Sequence, residues 1–239
     1  PAPERTNSLG TNQSHDYITR LMKSIACALL TTLLFLFSSC SPSVDLSSTP
    51  AADLSSTPAH DLKNKMVISV RDQKLLVVKN GEPIKAYSVS TSRFGLGSQS
   101  GSYRTPLGDH VIAKKIGKGA PKGAVFKSRR QTGVILKPNA KGRDPIVTRI
   151  LWLSGKERHN LNTYRRFIYI HGTPVEKEIG RPVSYGCIRM KSKDIIDLYH
   201  RVSEGTEVKI IRGSLRTTPA GQTYYTRNSV WSRINPTRW

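Results

Sequence analysis

The chain has 239 residues, 37% of them apolar, and its 38 Lys+Arg against 16 Asp+Glu give a formal net charge of +22. That composition fits one folded domain with polar flanks, and a domain of about 150 residues buries roughly two thirds of its unfolded surface without help from disulfides, metal or cofactor. The charge attracts polyanions in general, but no helix-turn-helix, zinc-finger or RNA-binding signature accompanies it, so a specific nucleic-acid partner is not expected.

In chain order, residues 1–21 are expected to lie upstream of the native start at Met22. Ile25 to Phe37 is an almost wholly apolar run of thirteen residues behind Arg20 and Lys23. It is too short for a membrane span of about 20 residues and matches a signal-peptide core, so residues 22–40 read as a signal peptide. Leu36-Phe37-Ser38-Ser39-Cys40 is similar to the lipobox of bacterial lipoproteins. That resemblance implies a lipid on Cys40 and an exported, membrane-anchored protein of the periplasm or cell envelope, facing the outer membrane in a diderm because Ser41 follows. The alternative is an ordinary cleaved leader with an incidental cysteine. Residues 41–63 carry a tandem Asp-Leu-Ser-Ser-Thr-Pro-Ala unit, starting at Asp45 and at Asp53. Two polar copies cannot bury a core, so this segment reads as a flexible tether.

From Met66 the pattern turns to short alternating strands, at 67–70, 75–78 and 84–89, with Asn80-Gly81 as a tight hairpin turn. Further strands are expected at 110–113, 134–136, 150–153, 167–170 and 208–211, with basic loops at 117–123 and 137–144. One helix is expected from Ser192, as its cap, to Val202, where Ile195, Ile196, Leu198, Tyr199 and Val202 recur near helical spacing. Residues 64–212 thus form the folded domain. Residues 213–239, which carry Arg without any acid, read as a mobile basic tail.

Of three cysteines, Cys27 and Cys40 lie in the leader, leaving Cys187 without a disulfide partner in the mature chain. The strand Phe167-Ile-Tyr-Ile ends in His171, and Ser184-Tyr185-Gly186-Cys187 leads toward the helix. A cysteine is a nucleophile only as thiolate, and an adjacent imidazole can take its proton. Gly186 permits a sharp turn whose N–H groups can converge on an acyl oxyanion. Taken singly, a lone cysteine is usually a small buried hydrophobe and a strand-end histidine a structural one. Taken together, with glycines beside both, they favour catalysis. A zinc site would need three or four ligands, and no second Cys or spaced His pair is present.

His171-Gly-Thr-Pro followed by Ser184-Tyr-Gly-Cys-Ile-Arg189 resembles the signature of the L,D-transpeptidases with a YkuD-type catalytic domain, and the likeness extends over about residues 66–211 through Asn80-Gly81, Val89-Ser-Thr-Ser and Thr105-Pro-Leu-Gly. The resemblance implies a mainly β, YkuD-like β-sandwich with one short helix after the catalytic cysteine. It makes Cys187 the nucleophile and His171 the base, with the Gly172 carbonyl holding the imidazole tautomer. The N–H groups of Tyr185, Gly186 and Cys187 would form the oxyanion hole, and Ser184 and Arg189 would meet substrate carboxylate. It further implies peptidoglycan stem peptides as partners, acyl transfer to an acceptor amine, and no metal or cofactor; a monomer is expected. An L,D-carboxypeptidase of the same fold and a non-catalytic wall-binding domain are the alternatives. The family usually has histidine where this chain has Tyr185, which cannot supply a cationic ring.

Overall fold

The computed structural model describes residues 64–234, so the leader, Cys40, the tandem repeat and residues 235–239 lie outside the described residues. The chain is mainly β, as expected. Its strands are β1 (Asn64–Ser69), β2 (Lys74–Lys79), β3 (Glu82–Ser88), β4 (Gly108–Ile116), β5 (Ala124–Lys127), β6 (Arg130–Ile135), β7 (Ile146–Gly155), β8 (Tyr169–Gly172), β9 (Ile188–Met190) and β10 (Glu207–Ile211). They hydrogen-bond into one mixed sheet in the order β3-β2-β1-β10-β4-β7-β5-β6, with β8 pairing β7 and β9 beside it. The pairs β1/β10 and β8/β9 are parallel. Asn80 and Gly81 both take positive φ, 52° and 84°, which is the two-residue turn that matches strand twist.

Strand parity explains how the core is divided. Successive side chains point to opposite faces, so Met66 and Ile68 of β1, Leu75 and Val77 of β2, Leu151 and Leu153 of β7, Ile170 of β8 and Ile188 and Met190 of β9 meet in one buried cluster. On the other parity, Ile150, Trp152 and Tyr169 join Phe126 in a second cluster, against which Cys187 packs. Helix α1 (Ser192–Arg201) closes the first cluster with Ile195, Leu198 and Tyr199, and Val202 joins them just beyond its end. Its cap differs from the expectation. Lys191 is the capping residue, and the free N–H of Ser192 donates to the Glu176 carboxylate at 2.8 Å. A carboxylate at a helix N-terminus is favoured by the dipole. The Ser192 hydroxyl is instead taken by Thr148 Oγ1 at 2.9 Å.

Among the described residues the expected single helix becomes two, and the segment expected as a mobile tail is folded as far as it is described. Leu215, fully buried, fills a third cluster with Val67, Leu76 and Val78, and helix α2 (Pro219–Ile234) follows it, adding Ala220, Tyr224 and Tyr225. Pro219 occupies the first helical position and Thr218 Oγ1 accepts from the Gly221 N–H at 3.1 Å, which is a start signal of proline plus a capping hydroxyl. Arg227 pairs with Glu82 of β3. The outer faces of β1 and β2 would otherwise present Val67, Leu76 and Val78 to water, and this is the physical reason the tail folds back.

Candidate active site

β8 lies between β7 and β9, and its register brings the two chemical residues to one face. Ile170 faces Ile188 and His171 faces Arg189 in the parallel β8/β9 pair. Because Ile170 and Ile188 point into the main core, Tyr169, His171, Cys187 and Arg189 share the opposite face. His171 and Cys187 are thus diagonal neighbours, roughly 8 Å apart at Cα by strand rise and spacing. Gly186, just before the cysteine, has φ 112°, and a Cβ there would come within 3.2 Å of Ile168 Cδ1, so the turn needs glycine. Gly172 is needed for another reason: a Cβ would lie 2.6 Å from the Val147 carbonyl.

The Cys187 thiol donates to the Phe167 carbonyl at 3.3 Å and accepts from the Tyr169 N–H at 3.4 Å; among the described residues it has no hydrogen bond to His171. Phe167 holds that carbonyl in place from a left-handed backbone, φ 55°, which is uncommon for a bulky residue. His171 Nδ1 lies 2.8 Å from the Gly172 carbonyl. A carbonyl only accepts, so Nδ1 carries the proton and Nε2 keeps a lone pair. Burial pushes the imidazole down to about 4, with Arg189 adding to the effect and the Gly172 carbonyl and Asp144 opposing it. Burial likewise pushes the thiol up to about 11, against the Tyr169 N–H and the charges of Arg189 and Arg166. The resting site therefore holds a neutral thiol and a neutral imidazole. A thiolate formed beforehand by the imidazole, as expected from the sequence, is disfavoured because burial desolvates both charged forms.

Three further expectations are corrected. Ser184 is fully buried, donates to the Cys187 carbonyl at 2.5 Å and accepts from the Gly186 N–H at 3.2 Å. It braces the turn, and its hydroxyl is occupied there. The same bond occupies the Gly186 N–H, so among the described residues the unbonded donors of the turn are those of Tyr185 and Cys187. Arg189 forms an ion pair at 2.5 Å with Asp144, whose other oxygen receives the Thr173 hydroxyl. With 13% of its side chain exposed, Arg189 already has its carboxylate. Tyr185 is 53% exposed and its ring packs with Phe94 and Tyr103 at centroid distances of 5.4 and 5.9 Å. The thiol packs against the cluster that holds Tyr169 and Trp152, the latter stacked on Tyr164 at 3.9 Å. Among the described residues no three His, Cys, Asp or Glu side chains group as metal ligands.

The model of the L,D-transpeptidase catalytic domain, YkuD, matches residues 63–210. The chain belongs to this family. YkuD of Bacillus subtilis, assigned by name to the L,D-transpeptidases, is 27% identical over 148 residues, covering 62% of this chain and 65% of that protein. YbiS of Escherichia coli K12, likewise assigned by name, is 39% identical over 61 residues, 25% of this chain and 20% of that one. The chain thus spans less than two thirds of the length of either of these two relatives. An L,D-transpeptidase from Mycobacterium smegmatis has a solved structure with TM-score 0.41 and 19% identity, covering 62% of this chain and 58% of that one.

Within the L,D-transpeptidase domain, several residues near Cys187 escape sequence reasoning. Thr105 Oγ1 donates to the Gly186 carbonyl at 3.0 Å and accepts from the Ser92 N–H at 3.0 Å, fastening the turn from below. Arg166 donates to the carbonyls of Gly97 and Arg104 at 3.1 and 2.7 Å and so ties down the neighbouring loop. Thr148 sits at φ 75° in a bulge of β7 directly against Gly172, with its hydroxyl bonded to the Gly123 N–H and to Ser192. A β-branched residue in the left-handed region is a true outlier, and such strain gathers at functional sites. Among these only Thr105 gave a signal in the sequence, as part of the Thr-Pro-Leu-Gly run.

Proposed function

We propose that this L,D-transpeptidase domain acts on peptidoglycan, acylating Cys187 with a tetrapeptide stem and passing the acyl group to an acceptor amine. The observation that carries this is one face bearing a thiol, an imidazole with a free Nε2 lone pair, and two unbonded N–H donors on a glycine turn. The sulfur turns from the Phe167 carbonyl toward His171. As it attacks the carbonyl carbon before the terminal D-alanine, its proton passes to Nε2, so the thiolate forms only in the transition state. The Tyr185 and Cys187 N–H groups receive the developing oxyanion. His171 then returns the proton to the departing amine, the C–N bond breaks and a thioester remains. The acceptor amine attacks that thioester, gives a proton to Nε2, and expels the sulfur, which recovers its proton from the imidazolium. The Asp144 and Arg189 pair holds its charge beside the ring throughout.

The leader supports export and a lipid anchor on Cys40, a reading that the mass of the mature N-terminus tests. For the chemistry, a carbapenem should add one covalent adduct to the chain by intact mass, and Cys187→Ala should abolish it. An adduct that persists in the alanine variant removes Cys187 from the role. Incubation with tetrapeptide muropeptides should give cross-linked dimers; tripeptides alone would mean transfer to water.

A further inference from the structure

Next to the Cys187 turn lies a cleft of about 520 Å³ whose lining includes Arg71, Arg93, Arg181 and Arg212, with Gln73 and Ser92, and no acidic residue. Its size is that of a ligand site. Four cations around one concavity repel one another, and among the described residues only Arg181 has an acidic partner, Glu178 at 2.5 Å. Arg93 spends Nε and Nη2 on the Val183 carbonyl, at 3.3 and 3.1 Å, and keeps its other donors free. Arg71 and Arg212 are joined through the backbone, the Arg71 N–H donating to the Arg212 carbonyl at 3.2 Å, while their exposed side chains bond to nothing among the described residues. Arginine is the side chain that grips a carboxylate or phosphate with two parallel bonds, so this lining is more than a solvated basic face.

The cleft is coupled to the catalytic turn. Ser92 pairs with Ser184, the Arg93 N–H donates to the Ser184 carbonyl at 3.1 Å, and the Arg93 guanidinium stands 5.1 Å from the Tyr185 ring. An occupant of the cleft therefore meets Ser92 and Arg93, which are bonded to Ser184, three residues before Cys187. Arg189, the arginine nearest the chemistry in sequence, is committed to Asp144. We propose that the arginine cleft binds the carboxylates of a peptidoglycan stem alongside the acylation centre, an inference that rests on the transpeptidase reading above.

The test is calorimetry on the full chain carrying Cys187→Ala, titrated with a tetrapeptide stem in its free-acid form and in a form with every carboxyl amidated. The free acid should bind at least about tenfold more tightly, the low end for one charge-assisted hydrogen bond. Arg71→Ala with Arg212→Ala should erase that difference. Arg71→Lys with Arg212→Lys, which keeps charge but not the fork, should restore only part of it. Equal affinity for the two peptides, binding of neither, or a preference that survives the double alanine variant overturns the inference. So does a single-stranded oligonucleotide that outbinds the free acid through the same two arginines, since the cleft would then be a general polyanion site. Carbapenem adduct formation on the chain with Cys187 intact is read in parallel. If the adduct forms while the peptide preference is missing, the cleft fails and the transpeptidase reading stands.

Discussion

Cys187 is partly buried against the cluster of Trp152 and Tyr169 and receives one long N–H bond, too little to hold a thiolate. His171 loses its own hydration and has Arg189 across the ladder. The sign follows for both groups: the thiol keeps its proton to higher pH than a free cysteine, and the imidazole stays neutral to lower pH than a free histidine. Alkylation of Cys187 by iodoacetamide should therefore be slow at pH 7 and rise about tenfold per pH unit to pH 10 without levelling near 8.5, because only thiolate reacts. A plateau reached below pH 8 would mean a resting thiolate–imidazolium pair and would sink the neutral-pair account. Cys187, His171 and Gly186 were legible because a nucleophile, a base and a turn glycine are residue types confined to one short stretch. Asp144 was not, since it arrives from a loop that reads as basic and meets Arg189 only through the fold. Ser184 read as a substrate contact because a hydroxyl in a turn fits either role until its burial is known.

At the scale of elements, apolar pattern carried most of the reading. β1, β2 and β7 are legible because both parities of their side chains enter apolar clusters, which leaves near-continuous apolar runs, and β10 because Val208 and Ile210 alternate with the exposed Lys209. β5 and β9, of four and three residues, are too short to show a period, and β9 exists because β8 offers it an edge. The C-terminal helix was missed for a different reason. Its polar composition hides it, and its anchor, Leu215, lies outside it in the preceding turn. Thr218-Pro219 was the available start signal. If the segment is part of the fold, Leu215→Ala removes a fully buried side chain and should cost about 2–5 kcal/mol in urea unfolding. A mobile tail would leave the midpoint where it was.

At the scale of the whole molecule, many acids among the described residues are ion-paired: Glu82 with Arg227, Asp144 with Arg189, Asp197 with Arg201 and Glu207 with Lys156. The formal +22 already sets every acid against the bases, so the surface field is positive well beyond any one site. Exposed charges act over about 10 Å at 0.1 M salt and about 3 Å at 1 M. The Cys187→Ala chain should accordingly sediment with isolated peptidoglycan sacculi at 0.1 M NaCl and come off near 1 M. Arg71→Ala with Arg212→Ala should weaken sedimentation only slightly, because the field sums over the surface while the cleft reads individual carboxylates. Retention at 1 M NaCl would show that apolar contacts hold the domain to the wall. The exposed Phe94, Tyr103 and Tyr185 cluster beside the catalytic turn would then be the surface to alter.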